Sequence, residues 1–255
     1  MAERHPWEPD YRLEYSSRRM VEVSGELVEG TLVVAELPAA LRDCRQLALS
    51  CVDTGRSVPV QVDRTGTARV AWLVPERLKA GQARRYRLAG AATAAAAGGV
   101  RFEDDGKQLS AKVGDKPFLT YNSAVVASPN PEEPYYARSG HIHPLFSPSG
   151  RTMTDDFSPA HAHQPGVMFA WRKSTFEGSG ADCWDQKTGQ GRVEHVRVEA
   201  AAGGPVFGSL VARLRHVSLT APGAPKPMLD EIWHVRKDQR DRKATWLIAG
   251  IQQVA

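Results

Sequence analysis

The sequence has few cysteines and no long apolar run, and both absences restrict what the protein can be. The three cysteines, Cys44, Cys51 and Cys183, include no Cys-x-x-Cys pair, so they are typical of reduced thiols rather than of a disulfide framework. No stretch of about 18 apolar residues occurs, so the sequence predicts no membrane-spanning helix. The first twenty residues lack the apolar segment of a secretory signal. We therefore expect a cytoplasmic protein that does not contact a membrane.

The common catalytic signatures are also missing. The chain contains no His-Glu-x-x-His, no Gly-x-Ser-x-Gly, no Walker A loop and no glycine-rich dinucleotide turn after a strand, which argues against zincins, α/β-hydrolases, kinases and Rossmann enzymes. Charge is nearly balanced, at +4. The densest basic run, Arg236–Lys243, is interrupted by two aspartates and predicts a solvated hairpin tip rather than a phosphate-binding patch. We expect no nucleic-acid partner.

What the sequence does contain is a succession of short apolar or alternating runs separated by turn residues. Such spacing is typical of an all-β fold made of antiparallel strands. We predict a small β-sandwich or half-barrel in residues 1–90, an Ala/Gly linker in residues 91–99 and a larger β region in residues 100–255. The last run, Thr245–Val254, predicts the returning arm of a hairpin. An unprotected strand at a sheet edge favours self-association, or indicates that the second region is incomplete.

Half of the eight histidines fall between positions 141 and 163, in two His-x-His pairs whose members share one face if they lie on strands. A turn at residues 147–150 would place His141 opposite Asp156 and His143 opposite Thr154. His161 would then lie about 16 Å beyond Asp156 on a straight strand, unless Pro159 turns the chain back. Imidazole serves as a general acid, a general base or a metal ligand. The candidate catalytic residues, of which the histidines are also candidate ligands for a divalent metal, are His141, His143, Asp156, His161 and His163.

Polar and aromatic side chains near these histidines are candidates for holding a substrate. We predict that Tyr136 and Arg138 share a strand face with the first pair, an arrangement suited to a polyhydroxylated or anionic ligand. Asp182 and Asp185 flank Trp184, where a surface turn around a buried tryptophan is the alternative. The candidate substrate-binding residues are Tyr136, Arg138, Gln164, Trp171, Trp184 and His195.

The stretch from Tyr136 to Trp171 resembles the bacterial PmoA-like proteins, a domain-of-unknown-function family labelled "methane oxygenase PmoA". Pro165 stands where that family often has arginine, and members usually continue past the position of Ala255. The segments that carry the resemblance are Arg138, His143–Gly150, Thr154–Phe157, His161–Gly166, Ala170-Trp171, Asp182–Trp184 and Gly191-Arg192 with His195.

The resemblance implies a mutarotase-like antiparallel β-sandwich, here C-terminally short, and an association with carbohydrate metabolism. It does not imply the membrane-bound methane monooxygenase subunit, because this chain has no membrane span. The leading hypothesis is an enzyme that acts on a keto-sugar or glycoside by acid/base or metal-assisted chemistry. The alternatives are a non-catalytic carbohydrate-binding or inactive module and, third, a metal-dependent oxygenase.

Overall fold

The computed structural model describes residues 12–17, 20–64, 68–91, 99–238 and 247–254. Within these ranges the chain forms β-strands and three short 3-10 helices, and it contains no α-helix. The predicted all-β, sandwich-type fold is confirmed. None of the described residues belongs to a helix with the length and apolar character that crossing a membrane requires.

The described residues divide into two compact units. The first comprises the described residues up to Gly99 together with the segment Gly204–Phe207 and Asp238. The second comprises Val100–Gly203, Gly208–Lys237 and the strand Leu247–Val254. Most of the predicted linker, residues 92–98, lies outside the described ranges.

Two antiparallel sheets form the first unit, one with the order β1-β2-β8-β4-β5 and one with the order β3-β7-β6. A 3-10 helix at Ala39–Leu41 follows β3. The strands are β1 (Arg12–Ser17), β2 (Met20–Ser24), β3 (Leu32–Glu36), β4 (Leu47–Cys51), β5 (Ser57–Val58), β6 (Val60–Asp63), β7 (Arg69–Leu73) and β8 (Ala83–Gly90).

Alternating side chains of both sheets fill the core of this unit, as expected for strands with one buried face. Val21 and Val23 from β2 are fully buried together with Val33 from β3. Trp72 and Tyr86, one from each sheet, pack with their ring centroids 5.3 Å apart. This shared apolar layer makes the first unit a sandwich.

The second unit contains a four-stranded sheet of order β12-β11-β10-β9, a four-stranded sheet of order β15-β16-β17-β18 and the hairpin β13-β14. Further 3-10 helices lie at Pro134–Tyr136 and Gln186–Thr188. The strands are β9 (Val100–Asp104), β10 (Gln108–Val113), β11 (Lys116–Asn122), β12 (His141–Leu145), β13 (Ser174–Phe176), β14 (Ser179–Ala181), β15 (Gly191–Ala202), β16 (Phe207–Ser218), β17 (Lys226–Asp238) and β18 (Leu247–Val254).

The two larger sheets of the second unit bury one apolar cluster between them. Leu109 and Tyr121 from the first sheet belong to the same cluster as Val193, Leu210 and Leu214 from the second. Because each of these side chains is less than 5% exposed, the two sheets pack face to face on one shared core.

Two local predictions can be compared directly with the structure. The predicted C-terminal hairpin is confirmed, because β17 and β18 pair antiparallel and β18 is the outer strand of its sheet. Its tip, residues 239–246, lies outside the described ranges. The strand predicted to carry Tyr136 is wrong: Tyr136 closes a 3-10 helix, which Pro134 begins because its fixed φ suits a first helical position.

Candidate functional site

The first histidine pair lies on β12 and is held by the chain that follows it. Residues 147–150 form a turn, with Gly150 N–H donating to Ser147 O at 2.9 Å. His143 Nδ1 lies 3.0 Å from Thr154 Oγ1, and His141 Nε2 lies 3.5 Å from Asp156 Oδ2. These contacts agree with the register predicted from the turn, although the returning arm forms only an isolated bridge and no strand.

His141 is enclosed completely. Its side chain has 0% exposure, and its Nε2 also lies 3.4 Å from Nδ2 of the buried Asn122. That amide donates to His143 O at 2.9 Å as well. His141 Nδ1 and Asp156 Oδ1 are buried without a hydrogen-bond partner. An imidazole in this position orients Asp156 and the hairpin arm and is not accessible to a substrate. Sequence reasoning missed Asn122, because only the pairing of β11 with β12 brings it here.

Gly166 determines the path of the chain segment that carries the second histidine pair. Its φ is +55°, and its N–H donates to Asp155 O at 2.8 Å. A Cβ at this position would lie 2.2 Å from Ile142 O, so only glycine allows this approach to β12. The next residue, Val167, exchanges two 2.9 Å backbone hydrogen bonds with Ile142. The chain therefore turns back after Pro159, which the sequence left open.

His161 and His163 face an open cleft of about 520 Å³. Their ring centroids are 5.9 Å apart, in an edge-to-face arrangement. The cleft combines two imidazoles, an amide, a guanidinium, a carboxylate and an indole. The side chains that line it are His161, His163, Gln164, Ala170, Arg172, Trp184 and Asp185.

The lining residues Trp184 and Asp185 are positioned by Asp182. The buried Asp182 carboxylate accepts the backbone N–H groups of Trp184 at 3.0 Å and Asp185 at 2.9 Å. Asp185 in turn caps the 3-10 helix Gln186–Thr188 by accepting the N–H of Lys187 at 3.1 Å. Of the two aspartates flanking the tryptophan, Asp182 therefore holds the turn, whereas Asp185 also reaches the cleft.

The structure brings only part of the predicted substrate-binding set to the cleft. Gln164 and Trp184 line it, whereas Tyr136 is buried and packs edge-on against Tyr135, with ring centroids 4.7 Å apart. Tyr135 O and Ala137 O accept hydrogen bonds from the buried Gln186. Arg172 lines the cleft but was not predicted, since no motif marks an exposed arginine after Trp171.

Trp171, which is 39% exposed, does not line the cleft and instead contacts a buried pair of titratable side chains. Its Nε1 donates to Glu231 Oε1 at 3.0 Å, and Glu231 Oε2 lies 3.2 Å from His216 Nε2. The side chains of Glu231 and His216 are both 0% exposed. This contact ties the segment after the cleft histidines to β16 and β17. Neither Glu231 nor His216 was predicted, because their burial depends on how distant strands pack.

A family model for a family of unknown function, DUF6807, matches residues 108–252. The matched residues make up more than half of the chain and include both histidine pairs and the cleft. The chain belongs to the DUF6807 family. None of the curated proteins compared with it matches. The predicted resemblance is therefore confirmed as far as membership of a family of unknown function. The description of the matching family assigns no activity.

The described side chains of this DUF6807 protein do not assemble a metal-ligand set. Within the described ranges, no group of three or more His, Cys, Asp or Glu side chains is arranged to hold a metal ion. His141 and His143 are engaged by Asp156 and Thr154, whereas His161 lies in the cleft. Because the donor groups are divided in this way, the described side chains do not fit a bound divalent metal.

His195 is part of a half-buried polar contact on β15 of the DUF6807 unit. Its Nδ1 lies 2.8 Å from Tyr121 Oη, and its backbone N–H donates to Ser139 Oγ at 2.9 Å. Burial lowers the pKa of His195 from its ordinary value of 6.5, against a smaller opposing attraction to Asp104. His195 is therefore neutral in the folded protein at neutral pH, with no contact to the cleft-lining set.

This pKa shift predicts a pH dependence of stability. The unfolded chain takes up a proton on His195 at higher pH than the folded chain does, so its contribution is fully present above about pH 6.5 and is lost as the pH falls. We expect His195→Gln to flatten the decline in the free energy of unfolding between pH 7.5 and pH 5, measured by urea denaturation. Parallel declines in parent and variant would contradict this assignment.

Proposed function

We propose that the cleft binds a carbohydrate and that the protein is an enzyme that moves a proton on it, with His161 and His163 as acid and base. The observation that supports this most is the edge-to-face imidazole pair on a cleft that also carries Trp184, Gln164 and Arg172. Imidazole is the side chain suited to proton transfer near neutral pH. Indole faces and planar polar groups are suited to sugar rings and hydroxyls.

The chemistry assigned to these residues is proton abstraction next to a carbonyl of a keto-sugar. One imidazole removes the C–H proton, the electron pair moves toward the carbonyl oxygen, and the second imidazole donates a proton to that oxygen. Two imidazoles whose centroids are 5.9 Å apart can reach adjacent atoms of one sugar. Trp184 would hold the ring, while Gln164 and Asp185 would bind hydroxyl groups.

The other predicted catalytic residues take a different place in this proposal. His141 is fully buried, so we assign it and Asp156 to holding the hairpin arm rather than to proton transfer. His143 is hydrogen-bonded to Thr154, so we assign it the same structural role. The second candidate function, a non-catalytic carbohydrate-binding module, uses the same cleft and predicts binding without turnover. The third candidate, the metal-dependent oxygenase suggested by the PmoA label, lacks support because the described His, Cys, Asp and Glu side chains do not form a metal-ligand set.

We also propose that the protein is cytoplasmic and that it self-associates through β18. All three cysteines are free thiols, and Cys51 and Cys183 are buried, which suits a reducing compartment. β18 is the outer strand of its sheet within the described residues, which suits pairing with a second copy.

Binding tests the cleft directly. We expect Trp184→Ala to weaken the binding of a sugar or keto-glycoside about tenfold or more in calorimetry, because the loss of a stacked aromatic removes on the order of 1.4 kcal/mol. Phe176→Ala, which removes an aromatic ring from β13 away from the cleft lining, is the matched control and should bind normally. Equal affinities for parent and Trp184→Ala, or no sugar binding by the parent protein, would overturn the proposal.

A further inference from the structure

Arg138 is the most unusual charged residue of the second unit. It is 2% exposed, and the only hydrogen bond of its guanidinium within the described residues runs from Nη2 to Phe169 O, at 3.4 Å. Its Nε is buried without a partner. A buried cation with so few partners is costly, because desolvation is not offset by an opposite charge.

The other arginines of this unit that form ion pairs are more exposed, with side-chain exposures between 21% and 55%. Arg213 and Arg215 pair with Asp230, and Arg197 pairs with Glu199. Arg138 pairs with no described carboxylate. The buried Asp182 carboxylate accepts hydrogen bonds from the backbone of the cleft-lining turn, and its contacts do not include Arg138.

The chain segments around Arg138 are also the segments that line the cleft. Phe169, which accepts its hydrogen bond, precedes the lining residue Ala170. Cys183, whose thiol would attract the Arg138 guanidinium only when ionised, precedes the lining residue Trp184. Burial raises the pKa of the Cys183 thiol to about 11, so this thiol is neutral at pH 7 and does not balance the guanidinium. The guanidinium of Arg138 therefore lies close to chain segments that line the cleft, and it forms no ion pair with a described carboxylate.

We propose that the cleft selects carbohydrates that carry an anionic group, and that Arg138 supplies the buried positive charge that makes this selection, with Arg172 at the cleft surface. This inference rests on the proposed carbohydrate function and narrows its substrate class to acidic sugars. The shared chemistry is an anionic oxygen group, which a sugar carboxylate or a sugar phosphate can provide. The bound anion compensates a charge that has no ion-pair partner among the described residues.

The test compares matched ligands in calorimetry: glucose, glucuronate and glucose 6-phosphate. We expect the parent protein to bind one or both anionic sugars about tenfold or more tightly than glucose, because the charge of a buried guanidinium is screened less than that of an exposed one. The two anionic ligands distinguish carboxylate from phosphate. Arg138→Met should bring the ratio near one with glucose affinity retained, Arg138→Lys should keep part of it, and Arg101→Met, at a surface ion pair, should leave it unchanged.

Salt provides a readout that needs no variant. A buried charge is screened less than an exposed one, so the ratio should persist between 20 mM and 500 mM NaCl, whereas selection by the exposed Arg172 alone would disappear. A ratio near one in the parent, a ratio unchanged in Arg138→Met, or a ratio abolished by salt would overturn the inference. If glucose binds but the ratio is one, only this inference fails. If no sugar binds, the proposed function fails with it.

Discussion

Alanine at His161 or His163 is expected to lower kcat on a keto-glycoside by about 10²- to 10⁴-fold, the usual contribution of a positioned acid or base. The two rings are the only imidazoles that line the described cleft, so neither can be replaced by a neighbour. The fold should persist in both variants, because His161 is exposed and His163 is only partly buried. Steady-state turnover, with circular dichroism to verify folding, measures the effect.

The pH profile separates chemistry from binding in the same two variants. If the imidazoles transfer protons, each substitution should remove one limb of the profile of kcat against pH. Met153→Ala, at an exposed side chain of the hairpin arm, is a control that should retain the parent profile. Parent-like rates in both histidine variants would exclude the acid/base assignment and favour the binding module.

Alanine at Gly166 is expected to destabilise the second unit by about 2–4 kcal/mol. A left-handed φ of +55° costs a non-glycine residue about 1 kcal/mol, and a methyl group 2.2 Å from Ile142 O forces the backbone apart at an overpacking cost of about 1–3 kcal/mol. The same displacement would move the loop carrying His161 and His163. Urea denaturation measures the loss of stability, and turnover should fall with it.

Gly150→Ala is the matched control for this substitution. Gly150 also has a left-handed φ, +87°, but nothing lies within 4 Å of an added Cβ. Only the conformational cost of about 1 kcal/mol should remain. Equal losses in both variants would show that the close approach of Gly166 to β12 has no energetic role.

Part of this site could be predicted from the sequence because it depends on contacts between residues that are close together in the chain. The turn at residues 147–150 fixes which residues face each other, so the contacts of His141 with Asp156 and of His143 with Thr154 follow from counting. Strand periodicity likewise predicts the alternating burial of β2 and β3, since one face of each strand packs inside.

The remainder depends on contacts between distant segments, which no local pattern encodes. Whether Pro159 turned the chain back was decided by the approach of Gly166 to Ile142. Tyr136 and Arg138 look like alternate residues of one strand, but Pro134 begins a 3-10 helix and Arg138 is enclosed by the segments around Phe169 and Cys183. The burial of Glu231 with His216 likewise requires β16 and β17 to pair.

The short segment Gly204–Phe207 affects which fragments of the protein can be expected to fold. It lies between β15 and the rest of β16, yet its neighbours belong to the first unit: Gln61 Oε1 accepts the N–H groups of Val206 at 3.1 Å and Phe207 at 3.0 Å. A recombinant fragment starting after residue 99 would contain the whole region matched by the family but would leave these two N–H groups without their acceptor. A fragment cut there is therefore expected to be less stable at Gly204–Phe207 than the full chain.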